Sequence, residues 1–141
     1  MTIYLDASVV VSLFISDIHT DAADRLIVNL REDAIVSELC ALEFAASVSR
    51  GVRIRQLSEH AARQALADFD EWRTVSTIAA SPSAADFGLA ASLVRDFATK
   101  LAAADALHLA AAMNAGVKLA TLDKRLAEAA KTRGAEVVTL D

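Results

Sequence analysis

The chain contains few of the residues that form flexible linkers or covalent cross-links. Its 141 residues include one cysteine, one proline and four glycines. A single cysteine, Cys40, excludes an internal disulfide and favours a reducing compartment. Because 55 % of the residues are hydrophobic and 23 % are charged, the chain can form a packed core, which excludes disorder as its main state. We expect residues 1–141 to form a single domain.

Several common functional motifs are also absent. The sequence has no glycine-rich phosphate loop and no Gly-x-Ser-x-Gly motif, and Cys40 has no Cys or His at the spacing of a zinc site. A signal peptide begins with a basic segment followed by an apolar one. This chain reaches an acid at Asp6 without that pattern, which argues against a signal peptide. The apolar run 101–117 is interrupted by Asp105 and His108, which argues against a membrane span. We therefore expect a cytoplasmic protein that makes no membrane contact.

Two spacings of apolar residues alternate along the chain, one typical of strands and one typical of helices. Short apolar and β-branched runs predict strands over residues 2–6, 34–36, 75–79, 117–122 and 137–140. Helical spacing predicts helices over residues 7–15, 21–32, 38–50, 59–72, from 83 onward, 102–115 and 124–133. Ser37, Ser58 and Ser83 occupy predicted N-cap positions, and Gly51 and Gly116 are expected to end the helices before them.

This alternation predicts the fold class. Strands that alternate with helices and consist of nearly unbroken apolar runs imply a mostly parallel sheet covered on both faces. We therefore predict an α/β fold, a three-layer α/β/α sandwich with a mostly parallel central sheet. Ligands of such sheets bind beyond the carboxyl ends of the strands, so this edge is where functional residues are expected.

Four acidic residues occupy positions that suggest a site at this edge. Asp6 lies at the carboxyl end of one predicted strand and Asp123 directly after another, while Glu43 and Asp105 lie within helices that are otherwise apolar. Acids are rarely placed among apolar residues unless they are paired, capping or liganded. Each also has a local interpretation: Asp6, Asp123 and Asp105 as helix N-caps, and Glu43 as a solvent-facing residue of a half-buried helix.

The chemistry of the site follows if the four acids converge. Neighbouring carboxylates raise each other's pKa and cannot all stay ionised without a counter-charge. A hard divalent cation with all-oxygen ligands, Mg²⁺ or Mn²⁺, would supply that charge. Because no other catalytic motif is present, the chemistry left is metal-assisted hydrolysis of a phosphate ester.

The segments that carry these acids resemble one known family. They read LDASVV around Asp6, ALEFA around Glu43, ADALHLA around Asp105 and LATLDKRL around Asp123. In this order, and over essentially the whole chain, they are similar to the PIN-domain ribonucleases, in particular the VapC toxins of bacterial toxin–antitoxin pairs. The resemblance implies a Mg²⁺- or Mn²⁺-dependent endoribonuclease toxin that cuts single-stranded RNA or RNA loops. It also implies a homodimer that is inhibited by a VapB-type antitoxin.

The resemblance also implies roles for individual residues. Asp6 and Asp105 would be the most direct metal ligands, and Glu43 and Asp123 would complete the catalytic pocket. Two polar helpers are implied beside these acids, Ser8 and Thr121. For both helpers a role in the site and a role as a local helix or turn cap stay open.

Other residues are expected to bind RNA or to pack. The net charge is −5. Without the four acids of the proposed site, the chain has fifteen acidic and fourteen basic residues, so its net charge does not exclude RNA binding by the remaining surface. The candidate RNA contacts are Arg50, Arg53, Arg55, Lys124 and Arg125, and an ordinary solvated loop is the alternative for the arginines. The mean hydropathy of +0.37 indicates apolar surface for a partner.

The remaining predictions concern three large side chains and two alternative functions of the protein. Phe69 and Trp72 are predicted to lie in the core, and His108 to pack in the core or in a dimer interface. A receiver-type signalling module is an alternative function, but it requires paired acids after the first strand, where Asp6 stands alone. A catalytically inactive PIN domain that only binds its partner is the other alternative.

Overall fold

A computed structural model describes residues 2–138 and residue 140. The strands are β1 (Thr2–Leu5), β2 (Asp33–Ser37), β3 (Ile78–Ala80), β4 (Lys118–Ala120) and β5 (Val137–Val138). The helices are α1 (Ala7–Phe14), α2 (Thr20–Asn29), α3 (Glu38–Arg53), α4 (Glu59–Ser76), α5 (Ala84–Arg95), α6 (Ala103–Ala115) and α7 (Lys124–Thr132), with a 3-10 helix at Phe97–Thr99. No helix of the described part of the chain has both the length and the apolar character needed to cross a bilayer.

The strands form one parallel sheet in the order β3-β2-β1-β4-β5. β1 lies at its centre, where Tyr4 pairs with Ile35 of β2 on one side and with Leu119 of β4 on the other. The two outer pairs, β2 with β3 and β4 with β5, are also parallel. The predicted α/β fold with a mostly parallel sheet is confirmed.

The helices cover the two faces of the sheet with separate apolar cores. On one face, residues of α1 to α4 pack against Ile3 and Leu5 of β1. On the other face, residues of α5 to α7 pack against Tyr4 of the same strand. Because successive strand residues point to opposite faces, β1 contributes to both cores. Phe69 and Trp72 lie in the first core, as predicted.

Serine caps fix the starts of three helices at the predicted positions. Ser37, Ser58 and Ser83 each accept a hydrogen bond from the backbone N–H three residues later. Asp86 closes a capping box with Ser83, since its carboxylate accepts from the Ser83 backbone N–H at 2.9 Å. Gly116, with φ 67°, ends α6 in the left-handed conformation that favours glycine.

The helix end predicted at Gly51 is wrong. Helix α3 continues through this glycine to Arg53, so Arg50 and Arg53 lie on a helix and only Arg55 follows it, with φ 60°. A Cβ built on Gly51 would lie 2.8 Å from Cδ1 of Leu57. The glycine therefore allows the close approach of the following turn and does not terminate the helix.

The bounds of all five predicted strands change in the structure, and the strand expected at 75–79 differs most. The run 75–79 was expected to be a strand, but α4 continues to Ser76 and β3 spans Ile78–Ala80. Val75 is exposed, so no core contact opposes the helix there, and β-branched residues cost a helix little. Of the predicted strand 137–140, Val137–Val138 form β5, while Thr139 lies outside the described residues.

The strand order places a topological switch point at the centre of the sheet. The chain leaves β1 towards β2 through helices of one face, and it leaves β4 towards β5 through α7 on the other face. The carboxyl ends of β1 and β4 therefore open a crevice between diverging connections. Asp6 follows β1 directly, and Asp123 lies three residues after β4.

Candidate active site

A cavity of about 760 Å³ opens at the carboxyl edge of the sheet. Its lining includes the four predicted acids, Asp6, Glu43, Asp105 and Asp123. The two aspartates at strand ends reach it from the centre of the sheet, and the other two acids reach it from α3 and α6. The structure thus brings together acidic residues that are up to 117 positions apart.

Asp6 is the most buried acid of the cavity, with 3 % of its surface exposed. One carboxylate oxygen accepts from Ser8 Oγ at 2.6 Å and from the Val9 N–H at 3.3 Å, which also makes Asp6 the N-cap of α1. The other oxygen accepts from Thr121 Oγ1 at 2.5 Å. Burial raises the pKa of Asp6 above its usual range, although these hydrogen bonds act in the opposite direction.

Ser8 and Thr121 both contact Asp6, and of the two only Thr121 also acts as a local turn cap among the described residues. Each donates to Asp6, and each also accepts from the backbone of the loop after β4: Ser8 from Leu122 at 2.9 Å, and Thr121 from Asp123 at 3.0 Å. The pair therefore joins the carboxylate of Asp6 to the loop that carries Asp123.

Asp123 and Asp105 differ in how their carboxylates are held. Asp123 is the N-cap of α7, and one of its oxygens accepts from the backbone N–H groups of Arg125 and Leu126. Asp105 lies in the first turn of α6, whose N-cap is Ala102, so the alternative that Asp105 caps this helix is wrong. No hydrogen bond to its carboxylate is found among the described residues.

The acids repel one another across the cavity. The pKa of Asp105 is raised first by partial burial and then by the negative charges of Asp123, Asp6 and Glu43. A carboxylate that is half buried, without a donor and surrounded by three other acids is in an unfavourable state when ionised. The cavity therefore has an excess of negative charge that a bound cation would relieve.

Glu43 contacts a side chain that the sequence assigned to packing. Its carboxylate is hydrogen-bonded to Nε2 of His108, which is 1 % exposed. On the other side of the ring, Nδ1 lies 2.7 Å from the hydroxyl of Tyr4, and this hydroxyl lies 3.0 Å from Ser37 Oγ. His108 is packed in the core, as predicted, but it also belongs to the cavity lining.

The sequence of this chain matches the PIN domain family over residues 3–141. The chain belongs to the PIN domain family. None of the curated proteins matches it at a significant level.

Solved structures with the same fold include toxins of toxin–antitoxin pairs. VapC20 of Mycobacterium tuberculosis, described as a sarcin–ricin loop cleaving toxin, is 20 % identical with a TM-score of 0.73, over 90 % of this chain and 94 % of that one. VapBC2 of Rickettsia felis, bound to a DNA fragment from its promoter, is 16 % identical with a TM-score of 0.75, over the whole of both chains. A toxin–antitoxin complex from Klebsiella pneumoniae is 20 % identical with a TM-score of 0.62, over 96 % and 95 %. At these identities the likeness concerns the fold.

The donor set of this PIN domain fits a hard cation that keeps part of its water shell. The four acids offer only carboxylate oxygens, the ligands that Mg²⁺ and Mn²⁺ prefer. Within the described residues, no three His, Cys, Asp or Glu side chains are already grouped closely enough to hold an ion. One or two direct carboxylate ligands, with the other acids reached through water, are the usual arrangement for Mg²⁺.

The predicted RNA-contact residues fall into three groups. Arg50 and Arg53 line the same cavity as the acids. Lys124 and Arg125 line a separate cavity together with Lys100. Arg55 is exposed and is not among the described residues that line either one.

Four further polar residues line the acid cavity and were missed: Ser12, Asp17, His19 and Ser47. Two of them had a usable signal, since Ser12 lies four residues after Ser8 and Ser47 four residues after Glu43, on the same helix faces. Ser12 is buried and donates to Asp17 at 2.8 Å, which fixes the loop after α1 at the cavity rim. No local pattern marks Asp17 or His19.

Proposed function

We propose that this PIN domain is a Mg²⁺- or Mn²⁺-dependent endoribonuclease and the toxin of a type II toxin–antitoxin pair. The observation that carries the proposal is the meeting of Asp6, Glu43, Asp105 and Asp123 in one cavity at the carboxyl edge of a parallel sheet. Membership of the PIN domain family supports a nuclease, and a solved toxin of the same fold is described as cleaving the sarcin–ricin loop.

Asp6 and Asp105 are the proposed direct ligands of the cation, with Glu43 and Asp123 completing the pocket. A bound divalent cation would polarise the phosphodiester and make water a better nucleophile at neutral pH. Asp6 suits a ligand role because Ser8 and Thr121 hold its carboxylate in one orientation. The cost of fixing this side chain is then met during folding and not during ion binding.

Arg50 and Arg53 are the proposed contacts for RNA phosphates next to the cleaved bond. Both line the acid cavity from α3, so a phosphodiester chain that enters the cavity passes their guanidinium groups. Arg55, Lys124 and Arg125 are proposed to contact the strand outside the cavity, where Arg55 follows α3 and the other two begin α7.

We further propose a VapB-type antitoxin and a second copy of the chain as protein partners. The surface offers large apolar side chains that the chain itself leaves uncovered, including Ile18 at 92 % exposure and Phe97 at 88 %. A solved complex of the same fold pairs a toxin with an antitoxin.

The strand order disfavours a receiver-type signalling module. Receiver folds of the flavodoxin type order their strands 2-1-3-4-5, whereas the order here is β3-β2-β1-β4-β5. The remaining alternative, a PIN domain that binds a partner without cutting RNA, is separated from the nuclease by a cleavage assay.

The assay incubates purified protein with total RNA in Mg²⁺ or Mn²⁺, and in chelator, and maps the new RNA ends by sequencing. We expect new ends in both metals and none in chelator, and we expect Asp6→Asn to abolish them. The matched control is Glu59→Gln, which removes an exposed acid of α4 that forms a surface ion pair with Arg63. Cleavage that survives both chelation and Asp6→Asn would contradict the proposal.

A further inference from the structure

A chain of hydrogen-bonded side chains runs from the acid cavity into the core of the protein. It consists of Glu43, His108, Tyr4 and Ser37, and we call these residues the inner chain. His108 Nδ1 lies 2.7 Å from the Tyr4 hydroxyl, which lies 3.0 Å from Ser37 Oγ. All members except Glu43 are buried, with 1 to 2 % of their surfaces exposed.

The inner chain connects elements that lie on opposite faces of the sheet. Glu43 belongs to α3, which packs into the first core, while His108 belongs to α6, which packs into the second core. Tyr4 comes from the central strand, two residues before Asp6. His108 lies three residues after Asp105 and is therefore on the same side of α6. The hydrogen bond between His108 and Glu43 thus joins two helices that line the cavity, α6 and α3.

We propose that His108, held by Tyr4, is a positioning residue that fixes the Glu43 carboxylate in the cavity it shares with Asp105 and thereby sets the affinity of this cavity for a divalent cation. This inference rests on the proposed function of the cavity. His108 is not proposed to touch RNA or the reacting atoms. Its contribution is the orientation of Glu43, a long side chain with 30 % exposure that has several rotamers available without a partner.

The arrangement of donors supports this role. An ionised carboxylate can only accept hydrogen bonds, so the Nε2–H of His108 donates to Glu43. The ring cannot turn away, because its other nitrogen is hydrogen-bonded to Tyr4 and the ring is enclosed in the second core. One oxygen of Glu43 is thereby held, and the other is left for the cavity.

A purely structural role does not explain why the inner chain is polar. Ser37 is polar because it caps α3, but His108 and Tyr4 have no such local role. Apolar side chains of similar volume in place of His108 and Tyr4 would leave fewer buried donors and acceptors to satisfy, and such replacements are often neutral or stabilising. Burial also raises the pKa of the Tyr4 hydroxyl, so Tyr4 stays neutral and adds no charge to the cavity. The polar character of His108 and Tyr4 is explained by the hydrogen bond that holds Glu43, the exposed end of the inner chain.

The test is a calorimetric titration of Mn²⁺ into RNA-free protein, with thermal denaturation of each variant in chelator. We expect His108→Leu to weaken Mn²⁺ binding about tenfold or more, the usual cost of removing a group that orients a metal ligand. His108→Gln should recover much of the affinity, because its terminal amide can donate to Glu43. Tyr4→Phe keeps the ring and removes the hydroxyl, and it should give an intermediate loss.

The control is Asp86→Ala, which breaks the capping box of α5 and the hydrogen bond from Asn114 at 2.8 Å, away from the acid cavity. We expect it to lower thermal stability and to leave Mn²⁺ affinity unchanged. If affinity simply follows stability across these variants, or if His108→Gln binds no better than His108→Leu, the inference is wrong. If His108→Leu does not fold, the Mn²⁺ affinities of His108→Gln, Tyr4→Phe and wild type test the inference. Weaker binding by Tyr4→Phe than by wild type supports it, and equal binding by all three overturns it.

The two proposals fail in different ways. A wild type that binds Mn²⁺ and keeps its affinity in folded His108→Leu overturns the positioning role and leaves the nuclease intact. A wild type that binds no Mn²⁺ overturns the proposed metal-dependent function, and the positioning role with it.

Discussion

Replacing Asp105 by asparagine should make the metal-free protein more stable at neutral pH, although it damages the proposed site. The pKa of Asp105 is raised from its ordinary value of 3.8 by partial burial and by the charges of Asp123, Asp6 and Glu43. The folded state therefore holds this proton more tightly than the unfolded state does. Stability is lost as pH rises from 3.8 through the raised pKa, and Asn, which cannot ionise, avoids that loss.

The size of the effect is limited by solvent. Asp105 is only partly buried, so screening reduces the repulsion from its neighbours, and we expect a gain on the order of 1 kcal/mol or less. For a chain of this length that corresponds to a rise of about 3–5 °C in Tm at most. Mn²⁺ should reverse the order of the two proteins, because it stabilises only the protein whose folded state binds it.

The assay is thermal denaturation followed by circular dichroism at intervals from pH 4 to pH 8, in chelator and then in Mn²⁺. The control is Asp70→Asn, which neutralises an exposed carboxylate of α4. In chelator the advantage of Asp105→Asn should grow with pH, and the control should stay close to wild type. A variant that is less stable than wild type at pH 7, or an advantage that does not change with pH, would show that Asp105 is not destabilised by its ionisation.

Two further changes have distinct expected results. Thr121→Val should cost about 1–2 kcal/mol of stability in chelator, because an oxygen of the buried Asp6 loses its donor, while Thr121→Ser keeps the hydroxyl and should cost less; equal losses would contradict this reason. Arg50→Ala combined with Arg53→Ala should weaken binding of single-stranded RNA and reduce the slope of log affinity against log salt by about 1.4. Fluorescence anisotropy measures this slope, and an unchanged slope would show that the two arginines contact no phosphates.

The placement of the acids was predictable because strand ends are local features. Asp6 and Asp123 follow apolar runs that form parallel strands, and parallel strands present their carboxyl ends at one edge. Glu43 and Asp105 stood out as charges in apolar helices. The alternative that Asp6 and Asp123 are N-caps also holds, since a helix start at a strand end can serve as a cap and a cavity wall together.

The contact of His108 with Glu43 was not predictable from spacing. The two residues are 65 positions apart and come from different faces of the sheet, so the contact depends on the strand order. The sequence alone predicted a parallel sheet without fixing that order. Packing was the expected role of His108, and only the tertiary structure adds the hydrogen bond.

The basic side chains show that residues adjacent in the sequence can lie in different cavities. Lys124 and Arg125 directly follow Asp123, but they line a different cavity, because successive residues of a helix point about 100° apart. Arg50 does reach the acid cavity, seven residues after Glu43 on the same face of α3. That spacing was visible in the sequence, but the helix end predicted at Gly51 obscured it for Arg53.

We propose that Asp6 and Asp105 belong to one cation site at the edge of the sheet. Anomalous diffraction from crystals soaked in millimolar Mn²⁺ tests it most directly, with Asp6→Asn crystals treated in the same way. We expect an anomalous peak in the acid cavity between the carboxylates of Asp6 and Asp105, and its loss in Asp6→Asn. Mn²⁺ found only elsewhere on the protein, or a cavity peak unaffected by Asp6→Asn, would contradict it.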